Sequence, residues 1–90
     1  MAYSRLMSQL ARTPGQFGEA LRRYRLSRGW TQTQLAQQAG LRQATISQIE
    51  NGHGATRIDT LCAVLAALDL ELTVVPRTKS WDEEIEDLLG

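Results

Sequence analysis

Apolar residues recur at helical spacing through most of this 90-residue chain, and recognisable start and stop residues bound each periodic stretch. Thr13-Pro14 opens the first stretch. Threonine is a good N-cap, and proline suits the first helical position because its missing N–H would be unpaired there. The predicted helix runs from Pro14 to about Arg28, with Phe17, Leu21, Tyr24 and Arg25 roughly on one face, and stops at Gly29. Thr31-Gln32-Thr33-Gln34 has the arrangement of a capping box and opens a second helix, with Leu35, Ala36 and Ala39 inward and Gly40 as its left-handed end. A third helix spans Gln43 to Glu50, with Ile46 and Ile49 inward and Asn51-Gly52 as its stop. The fourth runs from about Arg57 to Leu68, capped by Thr56, with Ile58, Leu61, Cys62, Leu65 and Leu68 on its inner face.

After Asp69 the period changes. Leu70-Glu71-Leu72-Thr73-Val74-Val75 alternates and is rich in β-branched residues, which predicts one strand ended by Pro76. A lone strand in a helical domain leaves its backbone groups unpaired, and the nearest source of a partner is the same strand of a second copy. A homodimer joined through Leu70, Leu72 and Val74 is therefore expected. The chain divides into an N-terminal arm (1–12), a helical domain (13–69), a dimerisation strand (70–76) and an acidic, flexible tail (77–90). In the tail Trp81, Ile85, Leu88 and Leu89 would share one face of a helix, but alone the segment is too short for a stable one.

Composition sets bounds. An apolar share of 42% and a charged share of 22% fit one soluble domain with a single core. No apolar run approaches bilayer length, and MAYSRLMSQLAR lacks the apolar stretch of a secretory signal, so a cytoplasmic, nucleoid-associated protein is expected. The single cysteine, Cys62, excludes an internal disulfide and reads as a small core residue. The zero net charge conceals a division. Residues 1–57 hold eight of the ten basic residues and two acids, and residues 58–90 hold the other eight acids. Such asymmetry separates a polyanion-facing surface from a surface for a different partner.

Two short helices joined by a tight glycine-containing turn form the helix-turn-helix signature, whose second helix normally enters the DNA major groove. Opposite its isoleucines that helix carries Gln43, Ala44, Ser47 and Gln48. Glutamine can bond adenine N6 and N7 together, alanine can pack on a thymine methyl, and serine can bond base edges or phosphate. Phosphate contacts, which set register, are expected from Thr31, Gln32 and Arg57 at helix starts, with Arg42 beside the reading helix. Arg22, Arg23 and Arg28 add positive potential.

The run RLSRGWTQTQLAQQAGLRQATISQIENG resembles the phage-repressor and Cro-like helix-turn-helix family, also called the xenobiotic response element family. The matching elements are Thr31-Gln32, Leu35-Ala36, Gly40, Ile46-Ser47 and Glu50-Asn51-Gly52. Within it, GWTQ, QATIS and LELTVV are similar to HipB-type antitoxins, and the likeness covers about residues 13–76. The resemblance implies a mainly α fold: a four- to five-helix lambda-repressor-like domain with one C-terminal strand pairing across a dimer. It implies binding to double-stranded palindromic operator DNA ahead of its own operon, and neutralisation of a HipA-like serine/threonine kinase toxin. It marks Arg42, Gln43, Ala44 and Ser47 as base-reading residues and Arg25 with Glu50 as a structural ion pair. Arg42 departs from the family, where many members carry a serine cap. HipB-like antitoxins use a C-terminal segment against their toxin, so Trp81, Ile85 and Leu88 become the toxin-binding candidates, tryptophan being common at binding hot spots.

Two other functions compete with the antitoxin reading: a stand-alone phage-type repressor without a toxin, and an interaction module that has lost DNA binding. The polar face at Gln43, Ser47 and Gln48 argues against the second. No enzyme, cofactor or metal site is expected, because the chain shows no paired-carboxylate cleft, no nucleophile with a base, no metal-ligand spacing and no phosphate-cradling glycine loop. No membrane partner is expected either.

Overall fold

The computed structural model describes residues 9–77, and four helices carry them: α1 (Pro14–Ser27), α2 (Gln32–Ala39), α3 (Gln43–Glu50) and α4 (Ile58–Ala67). The start of α1 follows from its cap: the Thr13 hydroxyl accepts the Gln16 N–H at 3.1 Å, with Pro14 in the first turn. At α2 the capping box is complete, with Thr31 Oγ1 accepting from Gln34 N and the Thr31 N–H donating to Gln34 Oε1.

All four helices end in one way. A residue with positive φ follows the last turn, and the next N–H reaches back to a carbonyl of that turn: Trp30 to Arg25, Leu41 to Ala36, His53 to Gln48 and Leu70 to Leu65. Three of the left-handed residues are glycines (Gly29, Gly40 and Gly52), and the fourth is Asp69 at φ 58°. Aspartate tolerates this region better than most side chains, so the motif forms at α4 without the glycine that signals it elsewhere.

The core is one cluster. Leu21 of α1, Leu35 and Ala36 of α2, Ile46 and Ile49 of α3, and Val64, Leu65 and Leu68 at α4 are buried together, with Tyr24, Trp30, Leu41, Leu61 and Leu70 closing its edges. α3 packs against both α1 and α2, and α2 also packs against α4.

Three expectations at α4 need correction. Its N-cap is Arg57 with no side-chain cap, and the Thr56 hydroxyl instead donates to the His53 carbonyl at 3.0 Å. Ile58 is 72% exposed and Cys62 is exposed, while Val64 takes a central core place. The physical reason is that α4 is apolar nearly all round, so periodicity could not select which stripe turns inward. Leu61, Val64, Leu65 and Leu68 do.

Among the described residues no strand is formed, and Leu72 to Arg77 run exposed beyond the core. A single chain offers the expected dimerisation strand nothing to pair with. The arm residues 1–8 and the tail from 78 onward, with Trp81, Ile85 and Leu88, lie outside the described residues.

A glycine inside α1 decides how the helices meet. Gly18 is buried, and a Cβ there would stand 2.3 Å from the Ile49 carbonyl oxygen and 2.7 Å from that of Glu50. Its missing side chain lets α1 lie directly on the C-terminal backbone of α3. Gly18→Ala is expected to destabilise the domain by about 1–3 kcal/mol, as overpacking does, although alanine is the better helix former. Urea denaturation against the parent chain checks this, and an unchanged midpoint would refute the close approach.

Candidate nucleic-acid interface

Between α2 and α3 the chain turns through Gly40-Leu41-Arg42. Leu41 is half-buried against the core, and the left-handed Gly40 redirects the backbone. α3 then buries Ile46 and Ile49 and leaves Gln43, Ala44 and Gln48 exposed, with Ser47 half-buried beside them. Arg42 stands exposed at the N-cap and makes no side-chain cap, so its guanidinium is not tied to the helix end it begins. The expected reading residues thus share one outward surface.

Behind this surface lies a chain of hydrogen bonds that begins in the core. Arg25 donates to Glu50 through Nε at 2.6 Å and through Nη2 at 3.0 Å. Its Nη1 donates to the Trp30 carbonyl at 2.7 Å. The two side chains are only 9% and 3% exposed, so the fork-to-carboxylate pair is shielded from water, and each of its nitrogens and oxygens has a hydrogen-bond partner. Gln32 Nε2 donates to the same Glu50 Oε1 at 3.1 Å, and Gln32 Oε1 accepts from Gln43 Nε2 at 2.6 Å. The first residue of α3, Gln43, is thereby linked, through one side chain at the start of α2, to the buried ion pair. Ser47 has a similar support, since Asn51 Nδ2 donates to its Oγ at 3.4 Å.

The surrounding frame differs in its readiness for phosphate. The Thr31 hydroxyl accepts in the capping box and keeps its own proton for an external acceptor. Arg57 is engaged by Asp59, with Nε to Oδ1 at 3.1 Å and Nη2 to Oδ2 at 3.0 Å, both side chains being well exposed. That hydrogen-bonded guanidinium, helped by the Thr60 N–H, holds the Asp59 carboxyl below its usual range. A phosphate at the start of α4 would have to displace a carboxylate already there. Arg28 is also committed, donating to the Leu68 carbonyl at 3.1 Å with its guanidinium 5.1 Å from the Trp30 ring centroid. It fastens the end of α1 to the end of α4. Arg23 pairs with Glu19 one turn away at 3.3 Å.

Several of these residues escape sequence reasoning. Gly18 carries a faint signal, since an isolated glycine in a helical pattern often marks close packing. The Asn51–Ser47 contact has the i,i+4 spacing that a helix brings together, whereas the Gln32–Glu50 and Arg28–Leu68 contacts carry no signal, because they join residues by spatial proximity alone.

Comparison with known proteins gives a consistent result. The Helix-turn-helix family matches residues 21–75. Antitoxin HipB of Escherichia coli O6:H1 is 33% identical over 84 residues, covering 93% of this chain and 89% of the relative. Among solved structures, a HipB–O4 20mer complex superposes with a TM-score of 0.73 at 35% identity, covering 79% of this chain and 100% of that one. A HipA–HipB–O2–O3 complex superposes at 0.72 with the same identity and coverage.

The ion pair makes a direct prediction about stability. Glu50→Ala leaves the Arg25 guanidinium buried without its carboxylate and should cost about 3–5 kcal/mol. Replacing both partners by apolar residues, Arg25→Met with Glu50→Leu, should recover most of that loss. Chemical denaturation of the single and double variants checks this, and an equally unstable double variant would show that the pair is not the source.

Proposed function

The chain belongs to the helix-turn-helix family, on the HipB antitoxin side of it, and from that premise we propose how it works. It is a DNA-binding antitoxin that represses its own toxin–antitoxin operon and binds and neutralises a HipA-like kinase toxin. The observation that carries this is the match to HipB over nearly the whole chain, reading helix included, together with solved HipB complexes that contain operator fragments and HipA.

α3 enters the major groove of operator DNA with Gln43, Ala44, Ser47 and Gln48 toward the bases and Arg42 at its entrance. Thr31 and Gln32 at the start of α2 meet phosphate, where unpaired helix N–H groups favour an anion. Arg57 reaches phosphate by exchanging Asp59 for it. The Arg25–Glu50 pair does not touch DNA; it holds α1 and α3 together behind the reading surface.

A second copy completes the molecule. Ile58, Cys62 and Ala66 form an exposed apolar stripe at four-residue steps along α4. Val74 is 96% exposed and Val75 63%. Solvent-facing apolar surface of this extent, next to an unpaired alternating segment, fits a homodimer whose strands at Leu70, Leu72 and Val74 pair across the two-fold axis. Such a dimer would present two reading helices to a palindromic site. Trp81, Ile85 and Leu88 contact the toxin from the acidic tail. The protein works in the cytoplasm, at the nucleoid, and is not an enzyme; among the described residues no helix is long and apolar enough to cross a membrane.

Affinity capture from the native host tests the antitoxin role, comparing the full chain with one ending at Thr78. Recovery of a HipA-like kinase by the full chain alone is expected, and recovery of DNA without any kinase would make this a stand-alone repressor. Gln43→Ala should lose the part of the operator preference that this side chain supplies and keep salt-sensitive nonspecific binding, because phosphate contacts do not read sequence. Gel-shift titration over a salt series distinguishes the two losses. Val74→Pro removes a ladder N–H and should convert the dimer to monomer in sedimentation equilibrium; an intact dimer would refute the strand pairing.

A further inference from the structure

The Gln32 side-chain amide is caught between Glu50 and Gln43, with Nε2 to Glu50 Oε1 at 3.1 Å and Oε1 to Gln43 Nε2 at 2.6 Å. A carboxylate paired with a guanidinium accepts hydrogen bonds and has none to donate. The amide nitrogen of Gln32 must therefore face Glu50, and its carbonyl oxygen must face outward. Gln43 can answer that oxygen only with its own amide nitrogen. The direction of every bond in the series follows from the first member.

What remains at Gln43 is one amide hydrogen and the carbonyl oxygen. Adenine presents an acceptor at N7 beside a donor at N6, which matches one donor and one acceptor in a fixed order. Guanine presents two acceptors, N7 and O6, and would need Gln43 to offer both hydrogens, which turning the amide over does not provide. The bond to Gln32, held in its sense by the buried charge pair, keeps one of those hydrogens occupied. We propose that Glu50 is a specificity-positioning residue that, acting through Gln32, sets the amide sense of Gln43 and so selects adenine over guanine at the base it meets. This rests on the reading of Gln43 as a base-contacting residue.

The test uses the full chain and a library of randomised duplex DNA. Selection with the parent chain yields its site, and selection with Gln43→Ala identifies the position whose preference is lost. The selected duplex and its A·T to G·C variant at that position are then titrated with the parent, Glu50→Gln and Gln32→Met. The parent should favour adenine by roughly ten- to hundredfold, the range of a good bidentate contact. Both variants should fall to about threefold or less, because a Gln at 50 can face Gln32 with either end and a Met at 32 transmits nothing. Gln32→Met keeps the Arg25–Glu50 pair and so remains informative if Glu50→Gln is too unstable to fold. In the free protein, ¹⁵N spectra should show the Gln43 amide losing its hydrogen-bonded shift in both variants.

Variants that lose stability or overall affinity but keep the parent's adenine-to-guanine ratio would overturn the proposal. If Gln43→Ala selects the parent's site unchanged, the base-reading assignment itself fails. Loss of the phosphate contact expected of Gln32 would weaken both duplexes alike and leave the ratio where it was.

Discussion

Arg25 and Glu50 are 25 residues apart in the chain, and their ion pair ties α1 to the last turn of α3 at the point where those helices touch backbone to backbone. Burying two charges is expensive and is offset only when every donor and acceptor is used. Here the guanidinium satisfies both carboxylate oxygens and the Trp30 carbonyl, and the carboxylate takes one further bond from Gln32. No buried side-chain nitrogen or oxygen among the described residues is left without a partner. An apolar contact at this place could supply comparable stability, but it would have no direction to pass on.

Direction matters because the outward face of α3 is carried on a helix of only eight residues. Such a helix has little stability of its own and takes its place from tertiary packing. Ile46 and Ile49 fix its depth and rotation in the core. Gly18 fixes its distance from α1, and Gln32 and Asn51 restrain individual side chains on its outer face. A glutamine without a partner samples several rotamers, and ordering it costs entropy. Gln43, bonded to Gln32, is already restrained.

The charge distribution completes this division of labour. Basic residues concentrate before residue 58, yet several are committed internally: Arg25 to the core, Arg28 to the junction of α1 and α4, Arg23 to Glu19 and Arg57 to Asp59. A count of positive residues therefore overstates the free positive surface. Arg42, exposed at the start of α3 without a cap bond, carries positive charge next to the outward face of that helix.

Local chemistry determined the elements. Thr13-Pro14, the Thr31–Gln34 box and the glycines at 29, 40 and 52 each act within a few residues of themselves, so helix positions, the turn between α2 and α3, and the polar outer face of α3 were legible in the sequence. The Arg25–Glu50 pairing was legible only through family resemblance. Three matters depended on tertiary structure. The inward stripe of α4 was one, because a helix apolar nearly all round offers little periodic contrast, and packing in the core turned Val64 inward in place of Ile58 and Cys62. The absence of a side chain at Gly18 was another, since its use appears only where two backbones meet. The last was the series from Arg25 through Glu50 and Gln32 to Gln43. Hydrogen-bond partners distant in sequence are chosen by position in space, and nothing in the order of residues announces them.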